Sequence, residues 1–202
     1  FVKRDLDKSI HYLNVSADQN NSDAQNALGL LYYEGKYVSK DLEKSIHYFN
    51  LSDEQNNSNA QFFLGKIYFE GESVKSDLKK SIHYLNKSAN QNNSDAQYSL
   101  FVFYFCGMFC TKNINKAFNY LILSDNNNNS TAQYLLGTFY YSGKCISQDI
   151  NKSILYLVLS SKQNNSKAQF LLGKLFYDGK FISRNIHKSI HYLTLSANQN
   201  NS

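Results

Sequence analysis

The sequence predicts an all-α array of antiparallel helix pairs, eleven helices in all, and three observations predict it. The chain repeats itself every 36 residues. Within each repeat the apolar residues return at intervals of three and four, the spacing of one helix face. The 202 residues include no Pro and only nine Gly, which suits helices better than a turn-rich β protein.

The first helix type spans about Asp23 to Glu34, with Ala24, Leu28, Leu31 and Gly35 along one side. Steps of 36 carry these positions on: Ala60, Ala96, Ala132 and Ala168, then Leu64, Leu100, Leu136 and Leu172. Gly35, Gly71, Gly107, Gly143 and Gly179 follow as stops, in the left-handed backbone that ends helices. The second type spans about Asp41 to Asp53, with Leu42, Ser45, Ile46, Phe49 and Ser52 at helical spacing. Asp41, Asp77 and Asp149, with Asn113 and Asn185, are its expected N-caps. Lys8, Lys44, Lys80, Lys116, Lys152 and Lys188 recur in this helix, with Tyr12, Tyr48, Tyr84, Tyr120, Tyr156 and Tyr192. The chain reads as a single array: a second-type half-repeat over 1–21, then repeats starting near 22, 58, 94, 130 and 166.

Between repeats stands "QNNS", at Gln19, Gln55, Gln91, Gln163 and Gln199, with "NNNS" at Asn127. Ser22 with Gln25, and its four counterparts through Ser166 with Gln169, have the spacing of a capping box. "NNS" is also a glycosylation sequon, as is the triplet at Asn14, Asn50 and Asn86, although an Asn-rich chain makes such triplets incidentally. Gly29, Gly65, Gly137 and Gly173 lie mid-helix, where Gly costs about 1 kcal/mol relative to Ala, so close helix approach is expected there. The third copy carries Phe101 instead and must pack differently.

Composition bounds the function. Aromatic residues make up 15% of the chain, enough for a core and against disorder. The net charge of +5 is modest and forms no basic block. The longest nearly apolar run, Tyr98 to Cys110, is too short to span a bilayer. Three Cys offer no disulfide framework and favour a reducing compartment. The only Met is Met108 and Phe1 falls inside a repeat, so the chain reads as a segment of a longer protein.

Catalytic and metal sites find little support. His11, His47, His83 and His191 share one repeat position, and neighbouring copies stand about 10 Å apart, too far to share a zinc ion. His187 and His191 are four apart but lack the metalloprotease Glu. Cys106, Cys110 and Cys145 form an incomplete zinc set, and buried or half-buried thiols are expected. A Cys110–Cys145 disulfide requires the two loops to touch. There is no phosphate loop, dinucleotide fingerprint or nucleophile motif. We therefore expect no cofactor, no small-molecule substrate and no catalysis.

The stretch "AQNALGLLYYEGKYVSKDLEKSIHYFNLSDEQN", Ala24 to Asn56, resembles the Sel-one-like repeat, a relative of the tetratricopeptide repeat. The resemblance covers essentially the whole chain. It departs where Tyr37, Ser73, Phe109, Cys145 and Phe181 replace a loop Gly, and where Ser9, Ser45, Ser81, Ser153 and Ser189 replace a small Ala. Asn20, Asn56, Asn92, Asn128, Asn164 and Asn200 stand where the family has Gly, and Asn is the residue that best tolerates left-handed backbone after Gly. The disulfide pairs of cysteine-rich bacterial relatives are missing. The resemblance implies a right-handed α-solenoid that acts as an adaptor or scaffold. Members assemble membrane-associated complexes, serve endoplasmic-reticulum quality control or mediate host–microbe contacts.

The resemblance also places a variable stripe of the first helix on the concave face. It comprises Asp23, Ala27, Leu30 and Glu34; Asn59, Phe63, Lys66 and Glu70; Asp95, Ser99, Val102 and Cys106; Thr131, Leu135, Thr138 and Ser142; and Lys167, Leu171, Lys174 and Asp178. Such a groove suits a partner protein's extended peptide or amphipathic helix. A second candidate surface is the apolar set Ile122, Leu155 and Val158 on the second helices, where earlier copies have His and Asn. The rival readings are a nucleic-acid-binding helical repeat, which the mixed charge of the stripe disfavours, and a regulatory repeat segment attached to a catalytic domain outside this stretch.

Overall fold

The computed structural model describes residues 6–72, 74–107 and 112–200. Phe1, Ser73, Met108, Phe109, Cys110 and Ser202 lie outside them, and so does the proposed Cys110–Cys145 pairing. Among the described residues there are eleven α-helices and no strand: α1 (Leu6–Asp18), α2 (Ser22–Glu34), α3 (Leu42–Glu54), α4 (Ser58–Glu70), α5 (Leu78–Asn90), α6 (Ser94–Cys106), α7 (Ile114–Asn126), α8 (Ser130–Ser142), α9 (Ile150–Lys162), α10 (Ser166–Asp178) and α11 (Ile186–Asn200). Even-numbered helices are the first type and odd-numbered ones the second. The chain divides into two compact units, residues 1–120 and 121–202, with the division inside α7.

Helix ends follow local chemistry. Gly35, Gly71, Gly107, Gly143 and Gly179 close the first helices at φ 64° to 71°. Asp41, Asp77 and Asp149 cap the second helices, each accepting from the amide three residues on. Asn113 and Asn185 do the same for Lys116 and Lys188. Asn20, Asn56, Asn92, Asn128 and Asn164 are the only non-Gly residues at positive φ among those described, at 61° to 66°.

The capping box is a correction. The N-cap is the Asn before the Ser: Asn21, Asn57, Asn93, Asn129 and Asn165 each accept the amide of the Ala three residues on. Ser is already the first helical residue. Its carbonyl accepts a hydroxyl from the end of the following helix, Ser52 to Ser22 at 2.7 Å, Ser88 to Ser58 at 2.7 Å and Ser160 to Ser130 at 2.6 Å. The Gln turns away from the helix start into the joint between helices. Gln61 donates to Asp53 Oδ1 and Asn56 Oδ1 and accepts from Gln91 at 2.7 Å. Gln25 likewise donates to the Ala17 carbonyl and accepts from Gln55. The same Gln–Gln bond joins Gln163 to Gln133 and Gln199 to Gln169. Asn57→Ala should therefore cost about 1 kcal/mol of stability, while Ser58→Ala leaves it nearly unchanged. Denaturant midpoints of the two variants check this.

Close approach at the mid-helix glycines is as expected. A Cβ on Gly65 would lie 2.8 Å from Leu85 Cγ, on Gly137 2.7 Å from Leu157 Cγ, and on Gly29 2.6 Å from the Phe49 ring. In the third copy Phe101 is buried at the same position, and Ala117 replaces the Ser of the facing helix. The Phe101 ring meets Phe118 edge-on at 6.5 Å.

Candidate protein-interaction site

The first helices bury their Ala, Gln and Leu positions and turn the variable stripe outward. Most of the stripe's ends are exposed, as at Asp23, Glu34, Glu70, Asp95, Lys167 and Asp178, while its middle is half-buried except at Lys174. Packing explains the difference. Phe63 of α4 stacks on Phe49 of α3 at 5.2 Å and meets Tyr33 of α2 at 5.6 Å, filling the gap between successive first helices. Leu30 packs in that same cluster, and Leu171 fills the corresponding place against Leu157 and Leu175. These side chains are mortar between repeats as well as surface.

Some outer stripe residues are also tied to neighbours. Asn57 Nδ2 donates to Asp23 and Asn93 Nδ2 to Asn59. The Tyr33 hydroxyl donates to Glu70 at 3.0 Å, and Lys66 lies 3.8 Å from Glu70 and over the Tyr33 ring. Burial pushes the Tyr33 phenol up, so it remains the donor at neutral pH.

At one place in the unit of residues 1–120 the stripe opens. Between α4 and α6 lies a cleft of about 480 Å³, floored by Gly65 and Leu85 and walled by Phe62, Phe69, Tyr98, Val102 and Phe103. Lys66, Glu70, Asp95 and Ser99 form its rim. Five stripe residues thus meet here: Lys66, Glu70, Asp95, Ser99 and Val102. In the unit of residues 121–202, Lys167, Leu171 and Lys174 line a more polar cleft with Tyr134 and Phe170. Thr131, Leu135 and Thr138 are half-buried on α8 and line neither cleft. The aromatic wall and the Leu85 floor went unnoticed in the sequence. The available signal was Ser99, the one polar residue in a column that otherwise reads Ala27, Phe63, Leu135 and Leu171.

On the second surface the three residues differ in exposure. Ile122 is 47% and Leu155 56% exposed, whereas Val158 is half-buried in the cluster around Leu157. Leu123 and Leu159 extend the exposed set. Beside it, Asp125 has its pKa raised by burial, against the hydrogen bond from Gln133. Asp53, its counterpart two repeats earlier, is salt-bridged to Lys87; Leu159 occupies the place of that Lys. Because the folded-state pKa is raised, Asp125 favours folding at low pH, and this contribution is lost as pH rises through the folded value. Asp125→Asn should melt higher than the parent at pH 7 and the gap should close by about pH 3. Thermal melts at both pH values check it.

The remaining candidates are structural. The five His are exposed, and His11, His47, His83 and His191 lie against the adjacent Tyr rings. Among the described residues no group of three His, Cys, Asp or Glu could hold a metal ion. Cys106 and Cys145 are exposed, which corrects the expectation of buried or half-buried thiols: Cys106 ends the outward stripe and Cys145 sits in a loop. The recurring Lys lie over aromatic rings, Lys44 on Tyr32, Lys80 on Tyr68, Lys116 on Tyr104, Lys152 on Tyr140 and Lys188 on Phe176. Those rings stack within 6° on the Tyr of the second helix.

The Sel1 repeat profile matches residues 1–21, 22–57, 58–93, 94–124, 130–165 and 166–201. The chain belongs to the Sel1 repeat family. A Sel1 repeat protein from Oxalobacter formigenes is similar over 98% of this chain and 81% of its own, at 28% identity and a TM-score of 0.90. A protective antigen of uropathogenic Escherichia coli with the same fold is similar over 95% of this chain at 29% identity and a TM-score of 0.77; the match spans 41% of that protein. Cysteine-rich protein B of Helicobacter pylori aligns with 67% of the chain at 26% identity and a TM-score of 0.53. No curated protein matches the chain. The eleven helices are thus those of the Sel1 repeat fold, a solenoid class commonly used as a protein-interaction scaffold and generally without catalytic machinery. Among the described residues no helix is long and apolar enough to cross a membrane.

Proposed function

We propose that this Sel1 array is a non-catalytic adaptor that binds a peptide or amphipathic helix of a partner protein on its first-helix face. The observation that carries the reading is the cleft between α4 and α6. It is concave, of about 480 Å³, within the range of ligand-binding pockets, and apolar with a few charges at its edge. An apolar anchor entering there is desolvated while its neighbours meet Lys66, Glu70 and Asp95, the pattern of a binding hot spot. The nucleic-acid alternative draws no support from the recurring Lys, since those ammonium groups sit on internal ring stacks.

Affinity capture with the full-length protein tests the proposal. Ser99→Trp fills the cleft and should remove the partner that the parent retains. Leu155→Asp, on the other surface, should leave capture unchanged. Circular dichroism of both variants should match the parent. Undiminished capture by Ser99→Trp contradicts the reading, and so does recovery of nucleic acid alone. Loss with Leu155→Asp instead would move the binding surface to Ile122, Leu155 and Leu159.

A further inference from the structure

We propose that the α4–α6 cleft is a socket for an aromatic side chain of the partner, with a basic residue beside it; this rests on the reading that the first-helix face binds a protein. The repeat itself supplies the argument. One position in each first helix plugs the gap to the preceding first helix. In α4 the plug is Phe63, stacked at 4° on Phe49 and tilted against Tyr33. The same position in α6 is Ser99, and the residues that would receive an aromatic plug are Leu85 and Phe69, the counterparts of Phe49 and Tyr33. Both line the cleft. The cleft is therefore the place a ring occupies one repeat earlier, with its plug reduced to a hydroxymethyl group, Leu85 buried at its floor and Phe69 tilted against Phe103 at 5.2 Å on its wall.

The size and the charge of the opening narrow the occupant. A volume of about 480 Å³ exceeds one ring, so the anchor enters with its adjoining backbone. Phe62, Phe69, Tyr98 and Phe103 offer aromatic edges and faces to an entering ring, an arrangement that aromatic pairs prefer. The rim carries two carboxylates, Glu70 and Asp95, and one ammonium, Lys66, so its formal charge is negative. The flanking complement is therefore cationic.

Titration followed by methyl resonances of Leu85 and Val102 tests the socket. The probe is acetyl-Lys-Phe-Lys-amide, with acetyl-Lys-Ala-Lys-amide and acetyl-Glu-Phe-Glu-amide as comparisons. The Lys-Phe-Lys peptide should shift both residues saturably, the Glu-Phe-Glu peptide should bind more weakly, and the Ala peptide should not bind. Ser99→Phe restores the plug in cis; it should raise the melting temperature and weaken the peptide at least about tenfold. Ser99→Leu, the residue that later copies carry as Leu135 and Leu171, should act in the same direction, and Ser99→Ala should bind like the parent. Equal shifts with the Ala peptide, or binding that survives both Ser99→Phe and Ser99→Leu, would overturn the proposal. So would concentration-dependent shifts without peptide, which would report a second copy in the cleft. If the peptides fail while Ser99→Trp still abolishes partner capture, the aromatic socket falls and the first-helix reading stands.

Discussion

Gln61→Leu is expected to cost about 3 kcal/mol, among the largest losses of any single polar substitution in this chain. Gln61 is fully buried at the joint between α3, α4 and α5, and its amide makes three hydrogen bonds there. Leu matches its volume but removes all three bonds, leaving Asp53 with Lys87 alone and Gln91 with Asn56 alone. A hydrogen bond contributes about 1 kcal/mol net, and more where the acceptor is a carboxylate such as Asp53. Each repeat of a solenoid is held by its neighbours, so the loss should be local. Hydrogen exchange should speed up in α3 to α5 while α10 keeps its protection. An unchanged melting temperature in Gln61→Leu would show that the joint is not held by this network.

Gly65→Ala is the second large effect, and it runs against helix propensity. An exposed mid-helix Gly→Ala change gains about 1 kcal/mol. Here the added methyl would lie 2.8 Å from Leu85 Cγ, 3.0 Å from its Cδ2 and 3.2 Å from the Ser81 carbonyl oxygen. Leu85 is only 2% exposed and cannot swing into solvent. Overpacking of this kind costs about 1–3 kcal/mol, so net destabilisation of about 1–2 kcal/mol is expected. Leu85→Ala makes room for the methyl, and the double variant should be more stable than the two single losses add up to. Strict additivity, or a stabilised Gly65→Ala, would remove close helix approach as the reason for the glycine.

These two positions show what was legible in the sequence. The mid-helix glycines were readable as contact points because a residue costly to a helix recurs in four of five copies. Helix stops at Gly35 and its counterparts, Asp caps and left-handed Asn residues follow from backbone chemistry that each residue carries alone. Gln61 was misread because its nearest partner in sequence was the helix start, and the capping box is a local pattern. Its actual partners, Asn56 and Gln91, are set by how successive hairpins stack. The cleft was hidden for the same reason. Ser99 is unremarked until Phe63 is seen lying on Phe49 and Tyr33, and only then does a small residue at that position mean an unfilled gap. The stripe of variable residues was found, but its central members proved half-buried, since spacing along one helix does not tell how far the neighbouring helix overlaps it.

Hydrogen exchange of the full-length protein with its captured partner, against the protein alone, tests the central claim most directly. The account predicts slowed exchange in α4 and α6, with no change in α9. Protection confined to α7 and α9, or no difference between the two states in α4 and α6, would contradict it.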